Sequence, residues 1–251
     1  MHFPIEFHIG SLTVSLHAVM ETLAFFTGFR YFVFLRKKQG DLYPSSSRIW
    51  VIIGAIFGAL IGSRLIGSLE RPYELSMTND LLGYFYNNKT VVGGFLGGLA
   101  GVEIVKKCIG EKRSSGDLFV YPMIFALIIG RTGCFSMGVY EEVYGTETRL
   151  PWAMDLGDGL ARHPIMLYEI LFLLLLWIGL KKLQRRTPLE RGALFKLFMI
   201  SYLLFRFIIE FIKPHYPVLL GLSTIQLTCL AGLLYYLPFV LQPKKLFTAY
   251  A

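Results

Sequence analysis

Apolar residues in this chain fall into blocks close to twenty residues long, separated by short stretches rich in charge. That is the length an α-helix needs to cross about 30 Å of hydrocarbon. Inside a bilayer every backbone polar group must find its partner within the protein, which leaves only helices and closed barrels as spanning structures. A membrane barrel is written in alternating segments of roughly ten residues, and the sequence contains none. Charged residues are held to 17% while hydrophobic residues reach 54%, with a mean hydropathy of +0.54; a soluble domain carries about 25% charge. The expected fold is therefore all-α: a single polytopic transmembrane domain over residues 1–251 with about seven transmembrane helices. These are placed at 11–35, 49–69, 90–105, 118–137, 165–180, 192–211 and 219–241. The third is short and glycine-rich, and the fourth is interrupted by the polar run Gly130-Arg131-Thr132-Gly133.

Loop charges predict orientation. The loops after the first, third, fifth and seventh spans carry 15 Lys and Arg, among them Arg36, Arg48, Lys106, Arg113, Lys181, Arg186 and Lys244. The alternate loops carry 5: Arg71, Lys89, Arg149, Arg162 and Lys213. Basic residues collect on the cytoplasmic side, so the N-terminus is expected outside and the C-terminus in the cytoplasm. The same bias accounts for the formal net charge of +8 without a nucleic-acid partner. The N-terminal segment has no basic stretch ahead of an apolar run and does not read as a cleaved signal peptide. Cys108, Cys134 and Cys229 stand far apart, without the spacing of a disulfide framework or a zinc site.

Two spans carry glycines four apart: Gly54, Gly58 and Gly62, then Gly93, Gly97 and Gly101. Such a stripe lets two helix backbones approach closely in lipid; it also fits a groove that admits a lipid chain. Ionisable groups within spans are rare and functional by default. His17, Glu21, Arg30, Arg64, Glu103, Arg131, Glu169, Lys196, Arg206 and Glu210 are the ones present. Arg30 and Lys196 lie near the cytoplasmic interface, where long cations snorkel. Arg131 and Arg206 lie at matched depth in the outer half, and Tyr202 and Glu210, four residues to either side of Arg206, share its helix face. Two guanidiniums so placed suit a phosphate clamp; the alternative is a pair of structural bridges, Arg206 with Glu210 and Arg131 with Glu169. His17 and Glu21 share a face and suit a hydrogen-bonded pair or a proton relay, and His163 suits either a headgroup-level residue ahead of Pro164 or a general base. The outer loop, about 138–164, is long enough to be functional, with Trp152 at the interface and Asp155 and Asp158 expected near the charged cluster.

These residues together resemble the prolipoprotein diacylglyceryl transferases of bacterial membranes. The likeness is carried by Gly130-Arg131-Thr132-Gly133-Cys134-Phe135, Arg162-His163-Pro164 with Leu167-Tyr168-Glu169, and Tyr202-Leu203-Leu204-Phe205-Arg206 with Ile209-Glu210-Phe211, supported by Gly93-Gly94, Phe3-Pro4 and Ile9-Gly10. The resemblance implies a multi-pass protein of the bacterial cytoplasmic (inner) membrane. It implies transfer of a diacylglyceryl group from phosphatidylglycerol, or a similar anionic phospholipid, to the lipobox cysteine thiol of a prolipoprotein, releasing glycerol phosphate, with no cofactor and no metal. Carried over by position, Arg131, Arg206, Tyr202, Glu210 and His163 form the catalytic set, and Gly93, Gly94, Gly133, Cys134, Arg64 and His17 join the two arginines in binding substrate. Three departures mark a divergent paralogue: Val92 where the family has His, Cys134 where it has Asn, and Val19-Met20 after His17-Ala18 where it has Tyr-Gly. They admit two rivals, a related transferase with another acceptor and a non-enzymatic lipid-binding or assembly protein.

Overall fold

The computed structural model describes residues 3–10, 12–41 and 43–247; Ser11, where the first span was placed, lies outside them. A hairpin of β1 (Glu6–Ile9) and β2 (Leu12–Ser15) opens the chain, followed by α1 (Leu16–Gln39) and α2 (Ser45–Ser68). Two short helices, α3 (Pro72–Met77) and α4 (Leu81–Asn87), lead into α5 (Val91–Cys108) and α6 (Val120–Met137). A two-residue hairpin, β3 (Met154–Asp155) with β4 (Ala161–Arg162), precedes α7 (Ile165–Arg186), α8 (Ala193–Ile209) and α9 (Thr224–Leu241). Helices thus occupy all seven expected segments. Four of the apolar stretches, Leu16–Gln39, Ser45–Ser68, Asp117–Tyr140 and Thr224–Leu241, are long and apolar enough to cross a membrane.

Where boundaries differ from expectation, capping decides. Helix α1 starts at Leu16 because the Ser15 side chain accepts the Ala18 N–H at 3.2 Å, so the residues before it pair as a strand instead. Helix α9 starts at Thr224 because Ser223 and Gln226 form a reciprocal capping box. Helix α2 starts at Ser45, which draws Arg48 into the protein. Instead of a solvated loop charge, Arg48 is buried, paired with Asp41, stacked 4.5 Å from the Tyr43 ring and hydrogen-bonded to the Ser115 carbonyl.

Helices α2 and α5 pack backbone to backbone. A Cβ on Gly54, Gly58 or Gly62 would meet the carbonyl of Gly101, Gly97 or Gly93 respectively, and the clash is mutual. The glycine stripe, Gly93 included, is therefore filled by the partner helix. Gly94 points aside, where a Cβ would lie 3.7 Å from that of Ser63. Helix α6 lies as closely on α1, with Gly28 facing Ala126 and Gly133 facing Met20 and the His17 backbone. The core between α5, α6, α7, α8 and α9 contains Val92, Ile124, Leu173, Phe198, Met199, Leu203 and Ile225. Aromatic residues of α1 such as Phe25, Phe26 and Phe29 point outward and are exposed, the arrangement of a lipid-facing helix surface.

Candidate active site

Three helices each send charged or polar side chains to one buried point. Glu169, on the second turn of α7, is 1% exposed. Its Oε1 lies 2.9 Å from Arg131 Nε of α6 and accepts the Tyr202 hydroxyl of α8 at 2.8 Å; its Oε2 accepts Arg206 Nη1, also of α8, at 3.3 Å. The Arg131 approach is an ion pair set off the hydrogen-bond direction, so Arg131 Nε has close opposite charge but no hydrogen bond. Arg206 Nη2 donates to Glu210 Oε2 at 3.4 Å, and Lys213 Nζ lies 3.6 Å from the same oxygen. Both sequence-expected pairs, Arg131–Glu169 and Arg206–Glu210, are present, and Arg206–Glu169 joins them into one network. Tyr202 and Arg206 face the same way because they are one helical turn apart.

Burial makes this cluster consequential. Arg131, Arg206, Tyr202, Glu169, Glu210 and Lys213 are all buried, and Lys213 had read as an outer-loop charge. Unpaired charges cannot stay in such a place, and three basic side chains stand here among two carboxylates. Just beyond the end of α2 the next acid, Glu70, is half-buried, and burial raises its carboxyl pKa just as burial lowers that of the Lys213 ammonium. Arg206 Nε and Glu210 Oε1 have no hydrogen-bond partner. Both guanidiniums thus keep an unused donor at Nε, and Glu210 keeps an unused acceptor.

On its α1 side the cluster continues through Cys134, whose Sγ accepts Arg131 Nη1 at 3.7 Å. Beyond it stands His17, with Nδ1 3.6 Å from Glu141 and Nε2 3.7 Å from Glu21, which Lys89 pairs at 2.9 Å. Gly133 permits this closeness, since a Cβ there would stand 2.9 Å from Met20 Cβ.

Other expected residues lie elsewhere. Arg64 donates to the Tyr86 carbonyl and sits over the Tyr86 ring at 5.1 Å, stapling α4 to α2 rather than facing the arginines. The Lys196 ammonium stands 3.9 Å from the Phe239 ring centre. Val92 is fully buried in the apolar core. Asp155 and Asp158 do not join the cluster. Asp155 accepts the Gly157 and Gly159 N–H groups, which lower its pKa, and Asp158 is lowered by its 2.7 Å bridge to Arg162. His163 Nδ1 lies 3.1 Å from the Tyr168 hydroxyl, which also accepts the Trp152 indole N–H at 2.8 Å. These side chains border an apolar recess of about 630 Å³ with Leu167, Leu171 and Ile212.

Outward-facing aromatics, helices long enough to span, and a buried network of arginines and carboxylates define the class: a polytopic helical membrane protein. The family model described as prolipoprotein diacylglyceryl transferase matches residues 4–241, and the chain belongs to that family. It is 30% identical to the phosphatidylglycerol–prolipoprotein diacylglyceryl transferase of Idiomarina loihiensis, over 96% of this chain and 93% of that protein. The protein of the same description from Methylobacillus flagellatus is 30% identical over 90% of this chain and 88% of its own length. That from Cupriavidus metallidurans is 29% identical over 90% and 85%.

Proposed function

We propose that this chain transfers the diacylglyceryl group of phosphatidylglycerol to the lipobox cysteine thiol of a prolipoprotein, at the outer leaflet of a bacterial cytoplasmic membrane. In this reading seven helices span, the N-terminus is outside, the C-terminus is cytoplasmic, and the chain is one transmembrane domain. The observation that carries it is the convergence of Arg131 and Arg206 on a single carboxylate, Glu169, with the Nε donor of each guanidinium unused. A phosphodiester is an anion whose oxygens guanidiniums match with two-pronged geometry.

The chemistry follows from charge. The acceptor sulfur forms a C–S bond to the glyceryl carbon while that carbon's C–O bond breaks, and the electron pair leaves with glycerol phosphate. Negative charge grows on the departing phosphate, where Arg131 and Arg206 stabilise it. Glu169 and Tyr202 hold the guanidinium planes, and Glu210 with Lys213 fixes the far side of Arg206, so the donors need no reorganisation during reaction. The recess beside His163, Tyr168 and Trp152 is apolar enough to seat an acyl chain or the acceptor's apolar segment. His163 is then a positioning residue at the recess. The sulfur must also lose a proton, and the polar groups adjoining Arg131 on the Cys134 side are His17 and Glu141.

The test is incubation of the purified full chain with labelled phosphatidylglycerol and a lipobox peptide. Label recovered in a thioether on the peptide cysteine is expected. Lipid retained by the protein without product overturns the transferase reading in favour of a lipid-binding protein.

A further inference from the structure

Three side chains from three separate places in the sequence meet beside the arginines. His17 is on the first turn of α1, Cys134 on the last turn of α6, and Glu141 directly follows the 3-10 turn Gly138–Tyr140. One ligand atom from each, the imidazole nitrogen, the thiol sulfur and a carboxylate oxygen, lies within 4.8 Å of the others. A four-coordinate zinc ion with bonds of about 2.0–2.3 Å sets its ligands roughly 3.3–3.6 Å apart, and His17 Nδ1 already stands 3.6 Å from Glu141 Oε2. His17 Nδ1 is buried without a hydrogen-bond partner, with the Glu141 carboxylate and the Cys134 thiol as its polar neighbours. The ring's other nitrogen faces Glu21 at 3.7 Å, which matches the carboxylate that commonly orients a metal-bound histidine from behind.

We propose that His17, Cys134 and Glu141 form a zinc site with an open fourth position, and that this position takes the acceptor cysteine thiol. The proposal rests on the transferase reading for the thiol's identity, though not for the site itself. Sulfur, nitrogen and carboxylate together select zinc over hard cations such as Mg²⁺ or Ca²⁺. Three protein ligands and one vacancy make the arrangement of a reactive rather than a structural site. Thiolate and carboxylate cancel the charge of Zn²⁺, so the ion stands beside Arg131 without repelling it, and Arg131 Nη1 at 3.7 Å from Cys134 Sγ supports the bound sulfur's negative charge.

A thiol that coordinates zinc gives up its proton on binding, and the proton passes to water. The bound sulfur then forms the C–S bond while glycerol phosphate departs with the C–O electron pair toward Arg131 and Arg206. Nothing is oxidised or reduced. The thiolate and the leaving phosphate are thereby held by adjoining parts of one site.

The experiment uses the full chain carrying Cys108→Ser and Cys229→Ser, which leaves Cys134 as its single cysteine. Titration with Co²⁺ should give one equivalent bound, visible tetrahedral ligand-field bands, and a near-ultraviolet thiolate-to-cobalt band that Zn²⁺ displaces. Cys134→Ser should abolish the charge-transfer band, and Glu141→Gln should weaken Co²⁺ binding at least about tenfold, each in protein that elutes as the parent does. Absence of the bands, or their survival in Cys134→Ser, overturns the site. Chelator-stripped protein should then lose at least tenfold in transfer to the lipobox peptide and regain it with Zn²⁺. Full transfer by stripped protein refutes the role of zinc while leaving the transferase reading intact. Bands without transfer under any metal uphold the site but overturn the transferase reading, and with it the thiol as the fourth ligand.

Discussion

Arg131 and Arg206 reach the same carboxylate from different helices, one at each oxygen of Glu169. Glu169 therefore sets the separation and mutual orientation of the two cations. Glu169→Gln keeps the side chain's shape and removes its charge, leaving two buried guanidiniums facing a neutral amide. Breaking a buried pair from one side costs about 3–5 kcal/mol. A fall in unfolding temperature together with a loss of turnover on the order of 100-fold is expected. Thermal scanning and the lipid-transfer assay check both, and wild-type turnover in this variant would remove Glu169 from the machinery.

Arg206→Lys retains the charge and discards the fork. A lysine ammonium cannot hold Glu169 and Glu210 while engaging a phosphate. Transfer measured as kcat/KM should drop by roughly 100- to 1000-fold, with Arg131→Lys similar in size. A loss confined to a few-fold would show that point charge alone serves the site.

The glycines of α2 and α5 predict a sharp contrast between neighbours. At Gly58 a methyl group would strike the Gly97 carbonyl, whereas at Gly94 it would find ordinary contact. Gly58→Ala should destabilise by roughly 1–3 kcal/mol, and Gly94→Ala should stay within about 1 kcal/mol of wild type. Detergent-resistance and thermal-aggregation curves measure the difference; equal behaviour of the two would contradict the packing.

The loop over residues 138–164 should loosen in acid. The Arg162 guanidinium holds the Asp158 carboxyl below its ordinary pKa, and two backbone N–H groups do the same for Asp155. Groups depressed in the folded state stabilise it above their unfolded pKa, and that contribution is lost as pH falls through the folded value. Trp152 fluorescence and protease sensitivity of residues 150–160 should therefore change on acidification below about pH 4. Asp158→Asn should show at neutral pH part of the looseness that wild type shows only in acid.

Much of this architecture can be read in the sequence because lipid imposes it. Twenty-residue apolar blocks force helices, and a charge within such a block must have a purpose, which is how Arg131, Arg206, Tyr202 and Glu210 stand out. Depth along a span is legible; burial across it is not. Arg48 and Lys213 read as loop charges, yet neighbouring helices cover both. Arg64 reads as a substrate-binding residue from the resemblance, but its guanidinium donates to the Tyr86 carbonyl. The set His17, Cys134 and Glu141 has no local spacing to announce it, because α1 and α6 bring it together only after packing through Gly133. The small helices α3 and α4 escape the apolar-block criterion since they are short and mixed in character.

The seam between α2 and α5 also acts as a gauge. Its three glycines per helix interlock only when Gly54, Gly58 and Gly62 meet Gly101, Gly97 and Gly93, and a slip by one helical turn would shift α5 by about 5.4 Å. The vertical level of α5 is thus copied from α2, to which the loop carrying Glu70 and Arg71 is tethered. A sequence change at either end of that seam would be felt as an altered height of the loop carrying Glu70 and Arg71 relative to α5.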